Sequence, residues 1–255
     1  MPVAVEIKEP ASATSAVVFA SPHSGRVYPQ EFLDAAQVDK RVLRSSEDAF
    51  VDILLAHAPA FGAPLVTSQV PRAFVDFNRA ANELDPALIH GAPRAGMNPR
   101  VTSGLGVLAR VVAGGGAIYR GFGQVLLCDV HSMPRDALNG HVARGGTRPD
   151  IVIGDRWGAS CRPDVLAQVE SILRGAGLVV ARNAPFAGAY ITQRYGQPSI
   201  GMHAVQIEID RGLYMDEARI APSAGFGDFC SLMRDVTASL AEIDLRQSPM
   251  DLAAE

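Results

Sequence analysis

The segment Q-V-L-L-C-D-V-H-S-M-P, residues 124–134, joins a short apolar run to a histidine and a turn. An apolar run of four to eight residues is typical of a buried β-strand. Five further runs of this kind recur along the chain, at residues 16–20, 64–67, 151–153, 178–181 and 204–209. The sequence therefore predicts at least six strands.

Amphipathic helical patterns lie among these runs, at residues 48–58, 163–174 and 223–240. Strands that alternate with helices predict an α/β fold, a three-layer sandwich around a mixed, mostly parallel central sheet. No linker divides the chain, so residues 1–255 are predicted to form a single domain. A Gly/Pro-rich excursion at about residues 83–123 is predicted to be a long surface segment.

Composition excludes several classes of protein. The 255 residues carry 23 Lys+Arg against 27 Asp+Glu, a net charge of −4, and 48% are hydrophobic. A globular protein with a sizeable core is expected, without nucleic-acid or membrane partners. The N-terminal charges and the three isolated cysteines indicate a cytoplasmic protein with neither a disulfide framework nor a cysteine zinc site.

Two histidines follow predicted strands. His23 lies in S-P-H-S-G just after residues 16–20, and His131 follows residues 124–130. The carboxyl ends of parallel strands meet at one edge of a sheet, so both side chains can hold one metal ion. A third ligand is available in S-S-E-D, residues 45–48, as Glu47 or Asp48. The alternative is that Asp48 only caps the following helix.

Other polar residues interrupt apolar segments. Arg79 beside Asn78 suits a substrate carboxylate, although a surface arginine paired with Asp76 fits the spacing equally well. Gln206, Glu208 and Asp210 share one face of a predicted strand, and Glu208 is the best general-base candidate. The alternative for this strand is an edge position with a solvated face.

Seven motifs follow one another along the chain: S-P-H-S-G, E-D-A-F-V-D, V-P-R-A-F-V-D-F-N-R, D-V-H-S-M-P, G-D-R-W-G-A-S-C, F-A-G-A-Y-I-T-Q-R-Y-G and Q-I-E-I-D-R-G-L-Y-M-D-E. Together they resemble the N-formylglutamate amidohydrolases, a family similar to the zinc carboxypeptidases and aspartoacylases. The resemblance implies a phosphorylase/hydrolase-like α/β fold, one catalytic zinc ion per chain, and a bacterial, cytoplasmic enzyme of histidine degradation. One departure is that the carboxypeptidase spacing H-x-x-E is absent, because position 26 is arginine.

The resemblance also implies roles for individual residues. It makes His23, His131 and Asp48 the zinc ligands and Glu208 the general base. Asn78 and Arg79 would hold a terminal carboxylate, and Tyr190 would contact the substrate. For a second, side-chain carboxylate, the candidates are Arg72 and Arg211.

The leading hypothesis is zinc-dependent hydrolysis of N-formyl-L-glutamate or a related N-acyl acidic amino acid, which would be the small-molecule partner of a monomer or small homo-oligomer. One alternative is a thiol amidase that uses Cys161 or Cys128. Another is a non-catalytic metabolite-binding protein on the same scaffold, although the presence of Glu208 argues against it.

Overall fold

A computed structural model describes residues 3–80, 83, 123–140 and 147–245 of the protein. Its main element is a seven-stranded sheet, composed of β1 (Val5–Lys8), β2 (Val17–Ser21), β3 (Leu65–Ser68), β4 (Val125–Met133), β5 (Ile151–Gly154), β6 (Val180–Arg182) and β7 (Met202–Asp210). The spatial order of the strands is β1-β3-β2-β4-β7-β5-β6. A small second sheet pairs β8 (Met215–Asp216) with β9 (Ala221–Pro222).

The large sheet is mixed and mostly parallel, as predicted. The pairs β3–β2, β2–β4, β4–β7 and β5–β6 are parallel. The pairs β1–β3 and β7–β5 are antiparallel. β2, β4 and β7 therefore run side by side in one direction at the middle of the sheet, and their carboxyl ends share one edge.

Helices cover both faces of this sheet. They are α1 (Gln30–Ala35), α2 (Lys40–Arg44), α3 (Val51–Leu54), α4 (Pro163–Gly175), α5 (Tyr190–Tyr195) and α6 (Phe226–Ala241). Alternate residues of β2 point to opposite faces: Val17 and Phe19 join the large core beneath α3, α4 and α6, whereas Val18 and Ala20 join a smaller one near α5. Both faces are thus buried, which confirms the predicted sandwich.

The structure corrects some boundaries. The helix predicted at residues 48–58 is only α3, because Phe50 before it has a positive φ of 69° and Pro59 begins a separate 3₁₀ turn, Ala58–Phe61. β4 continues through Met133, so His131 lies within a strand and not beyond its end. Several short elements were not predicted from the sequence: the edge strand β1, the small strands β8 and β9, and the helices α1, α2 and α5.

The excursion predicted at about residues 83–123 lies outside the described residues, apart from Glu83 and Gly123. Within the part of the chain that is described, no helix combines the length and the apolar character needed to cross a bilayer.

The loops that follow β2 and β3 touch at Gly25. A Cβ atom at this position would lie 2.0 Å from the carbonyl oxygen of Val70, which is backbone and cannot move aside alone. We expect Gly25→Ala to lower the free energy of unfolding by about 1–3 kcal/mol, as overpacking does. Urea denaturation measures this change.

Gly175→Ala is the matched control, because a Cβ there meets nothing within 4 Å at the end of α4. This control should be neutral or slightly stabilising. Equal stability of Gly25→Ala and the wild type would contradict the close approach of the two loops.

Candidate active site

Two imidazoles meet at the carboxyl edge of the central strands. His23 lies two residues after the end of β2, and His131 lies in the neighbouring parallel strand β4. Their ring centroids are 4.7 Å apart, and both side chains are buried. The structure therefore brings together the two histidines that the sequence analysis placed at one site.

Asp48 supplies a carboxylate between the two rings. Its Oδ2 lies 2.9 Å from Nδ1 of His131 and 3.3 Å from Nδ1 of His23. Its backbone N–H donates to the carbonyl of His23 at 3.0 Å, which fixes the loop that carries it. Asp48 does not cap α3, since Phe50 occupies that position without a side-chain hydrogen bond.

Glu47, the other candidate acid, points elsewhere. Its carboxylate accepts a hydrogen bond from the Tyr28 hydroxyl and forms an ion pair with Arg44 at 3.2 Å. Among the described residues, the acid that joins the two histidines is Asp48.

The three side chains fit a metal ion. One candidate ligand atom from each residue lies within 4.8 Å of the others. The contact of the buried Nδ1 of His23 with Asp48 is long, at 3.3 Å, and no other described residue offers this nitrogen a hydrogen bond, which leaves it available to a metal ion. Two imidazoles and one carboxylate, with room for a fourth ligand, are the donor set of catalytic zinc sites.

Carboxylates also contact the outer nitrogens of both rings. Nε2 of His23 is hydrogen-bonded to Asp76 at 2.7 Å, and Nε2 of His131 lies 3.0 Å from Oδ1 of Asp129. Such partners fix the orientation of an imidazole and leave Nδ1 as the ligand atom. Both acids were missed as site residues, although the buried Asp129, two positions before His131 in an apolar strand, is a usable signal.

Asn78 connects this outer layer to α5. Its Nδ2 donates to Asp129 at 3.2 Å and lies 2.9 Å from Nε2 of His131, while its Oδ1 accepts from the backbone N–H of Ile191 at 2.8 Å. The side chain lines the cavity described below, yet both ends of its amide have interior partners. Its predicted contact with substrate stays a prediction.

The charges at this centre depend on one another. Burial alone would raise the pKa of Asp48, but hydrogen bonds and charge interactions with His131 and His23 hold it well below its usual range. Burial opposes protonation of His131, but Asp129 and Asp48 raise its pKa well above the ordinary value. The cluster without metal therefore favours a proton on His131, which a cation would replace.

Arg211 holds the loop that carries Asp48. Its Nη2 donates to Oδ1 of Asp48 at 3.2 Å and to the carbonyl of Glu47 at 2.7 Å, while Nε donates to the Ser132 hydroxyl at 3.1 Å. Nη1 lies 3.4 Å from the carbonyl of Ser45. All three guanidinium nitrogens thus have protein partners, and one of these partners is the candidate metal ligand Asp48. Its predicted role in reading a side-chain carboxylate stays untested.

A cavity of about 360 Å³ reaches His23 and His131, two of the three candidate ligands. It is lined by His23, Ser45, Ser46, Arg72, Asn78, Arg79, His131, Ser132, Met133, Pro134, Phe186, Ala189, Gln206, Glu208 and Arg211. Tyr190 begins α5 and is partly buried, but it is not among these lining residues. Its role in substrate binding stays a prediction.

Arg72 and Arg79 both approach Asp76 at the cavity wall. Nε of Arg72 donates to Oδ2 of Asp76 at 3.1 Å, and Nε of Arg79 lies 3.8 Å from the same oxygen. The alternative of a surface Arg79 paired with Asp76 is wrong about the surface, because this side chain is buried, but the pairing with Asp76 is present. The guanidinium groups of Arg72 and Arg79 therefore lie beside the candidate metal ligands, in a cavity whose size suits a small molecule.

Glu208 completes the cavity from β7. It pairs directly with His131 across the parallel β4–β7 ladder, and β7 lies between β4 and β5, which excludes the alternative of an edge strand. Burial raises the pKa of Glu208 to about 7, with the charges of Asp48 and Asp129 acting in the same direction and His131 opposing them. Such a pKa suits a general base at neutral pH.

The side chain of Asp210 lies away from the site, although it was predicted on the same face of β7 as Gln206 and Glu208. Its Oδ1 accepts from the backbone N–H of Gly212 at 2.8 Å, and its Oδ2 lies near Arg135 and Arg148. It caps the turn after β7 and is absent from the lining of the cavity.

The cysteines do not reach this cavity. Cys128 lies inside β4, and Cys161 is buried beside α4. Burial raises the pKa of Cys161 to about 12, so its thiol is protonated at neutral pH and is a poor nucleophile. The thiol-amidase alternative thus finds no support in the described part of the chain.

Comparisons with known proteins give one consistent match. The sequence model of the N-formylglutamate amidohydrolase family matches residues 15–122 and 120–215. An N-formylglutamate deformylase of Pseudomonas aeruginosa is 32% identical over 89% of this chain and 91% of that protein, and one of Pseudomonas putida is 28% identical over 79% and 82%. The crystal structure of an N-formylglutamate amidohydrolase from Ralstonia eutropha JMP134 superposes with a TM-score of 0.83, 28% identity, and coverage of 94% of this chain and 97% of that one.

We expect the purified protein to contain one zinc ion per chain and His131→Ala to lose it. Removing one of three protein ligands weakens metal binding further than the 10- to 100-fold that loss of an outer partner typically costs. Elemental analysis after dialysis measures the metal content. The exposed His57→Ala serves as the control and should keep its zinc. Full zinc occupancy in His131→Ala would remove this residue from the site.

Proposed function

The chain belongs to the N-formylglutamate amidohydrolase family, and on that premise we propose that it is a zinc-dependent hydrolase of N-formyl-L-glutamate or a closely related N-acyl acidic amino acid. The products are formate, or the corresponding acid, and the free amino acid. The observation that carries the proposal is the buried His23–Asp48–His131 cluster, which opens onto a cavity that also holds Glu208.

The reaction needs a nucleophile, stabilisation of the oxyanion and a proton for the leaving nitrogen. A zinc ion held by His23, Asp48 and His131 would activate water and polarise the formyl oxygen. In this proposal Glu208 accepts a proton from that water and delivers it to the nitrogen; its position in the cavity wall, paired with His131 across the sheet, supports this role. Its raised pKa allows both proton transfers near neutral pH.

The substrate brings two carboxylates, and the cavity wall presents two arginines for them. We assign Arg79 to the α-carboxylate and Arg72 to the side-chain carboxylate. The position of Arg211 against Asp48 favours this division, since its guanidinium nitrogens already have protein partners. Asp76 orients both arginines and also holds His23, so substrate recognition and the candidate metal site share one carboxylate.

The direct test is formate release from a panel of N-formyl amino acids. We propose that N-formyl-L-glutamate is the preferred substrate, that a chelator abolishes the activity and that alkylation of thiols leaves it intact. Loss of activity on alkylation, with no effect of the chelator, would instead support the thiol amidase. Binding of the substrate without turnover would support the metabolite-binding protein.

Glu208→Gln tests the general base. The change keeps the shape of the side chain but removes the proton acceptor, so kcat should fall by about 10²–10⁴-fold with KM little changed and zinc retained. Steady-state kinetics and elemental analysis measure both properties. The exposed Glu31→Gln is the control and should behave as the wild type. Loss of zinc would make Glu208 a ligand, and survival of activity would place the base elsewhere.

Arg79→Ala tests recognition of the carboxylate. Leaving a desolvated charge without its partner costs roughly 2–5 kcal/mol, so kcat/KM should fall by about 30-fold or more. The exposed Arg219→Ala is the control for loss of a positive charge. Nearly normal kcat/KM in Arg79→Ala would show that this arginine does not contact the substrate.

A further inference from the structure

The side-chain oxygen of Gln206, Oε1, is a hydrogen-bond acceptor to which no described residue donates. The side chain is buried, lines the cavity and precedes Glu208 by two residues on the same face of β7. Its Nε2 donates to Oε1 of Glu208 at 2.6 Å, whereas its Oε1 is buried and has no hydrogen-bond partner among the described residues. The ionised Glu208 carboxylate can only accept, so in the form that acts as a base it is Nε2 of the amide that faces it.

A buried carbonyl without a hydrogen bond destabilises the protein, so we expect a molecule bound in the cavity to donate a hydrogen bond to it. Of the described residues that line the cavity, two have a buried polar atom that lacks a regular hydrogen bond: His23, whose Nδ1 has only the long contact with Asp48, and Gln206, through Oε1. The first fits a metal ion, as described above. The second is a neutral oxygen, which calls for a hydrogen-bond donor on the substrate.

The proposed substrate has one such donor. With both carboxylates ionised, N-formylglutamate presents acceptor oxygens everywhere except at the amide N–H of the bond to be cleaved. Arg72 and Arg79 at the cavity wall offer donors to those oxygens. Oε1 of Gln206, an acceptor without a donor, therefore matches the amide N–H, the one donor of N-formylglutamate.

We propose that Oε1 of Gln206 accepts a hydrogen bond from the scissile N–H and thereby makes the site selective for secondary amides over esters of the same shape. This inference rests on the proposed function. One side chain then holds both partners of the proton transfer: Nε2 orients Glu208, and Oε1 fixes the N–H, which leaves the other side of the nitrogen open to the proton that Glu208 delivers. The C–N bond breaks as that proton is bound, and Gln206 itself is unchanged.

The test compares two substrates that differ at one atom. They are N-formyl-L-glutamate and the formate ester of (S)-2-hydroxyglutarate, in which oxygen replaces the N–H, with spontaneous hydrolysis subtracted. Gln206→Met removes both the acceptor and the contact with Glu208. Loss of the contact with Glu208 affects both substrates, so the ratio of their kcat/KM values isolates the N–H contact.

We expect Gln206→Met to lower kcat/KM for the amide at least 10-fold more than for the ester, with zinc content unchanged. Gln206→Glu, which keeps acceptor oxygens, should restore part of the amide-to-ester ratio even where both rates fall. The exposed Gln193→Met should change neither rate. Gln206→Leu replaces Gln206→Met if the latter does not fold.

Two results would overturn the inference in different ways. Equal losses for amide and ester in Gln206→Met would show that the residue only orients Glu208, and the proposed function would stand. Failure of the wild-type protein to hydrolyse either substrate would overturn the proposed function and this inference with it.

Discussion

The site depends on keeping a negative charge on Asp48 inside the protein. A buried carboxylate is stable only when charged or polar partners replace the water that it has lost. Asp48 has Arg211 at Oδ1 and the two histidines at Oδ2. Asp76 in turn contacts the outer nitrogen of His23, and Asp129 that of His131, so the outer carboxylates hold the imidazoles that surround Asp48.

The fold was largely predictable, because its strands are short apolar runs and its helices are amphipathic. The predicted runs match β2 to β7 to within a few residues, and the mixed sheet follows from their alternation with helices. The edge strand β1 was not predictable in the same way. None of the four residues of β1 is buried, and two of them, Glu6 and Lys8, are charged, so the strand is not an apolar run.

The candidate site was only partly predictable, since spacing in a sequence does not give register in a sheet. His23, Asp48, His131 and Glu208 could each be named from local patterns, but the pairing of His131 with Glu208 depends on how β4 meets β7. The contacts of Arg211 with Ser132 and with the carbonyl of Glu47 could not be predicted either, because these partners lie more than 70 positions away in the sequence.

The central claim is that a metal ion held by His23, Asp48 and His131 is required for hydrolysis of a formamide. The most direct measurement is reconstitution, in which chelator-treated protein is titrated with zinc while formate release from N-formyl-L-glutamate is recorded. The account predicts no activity without metal, and a linear increase that stops at one zinc ion per chain. Full activity in the metal-free protein, or an increase that continues to two or more zinc ions per chain, would contradict it.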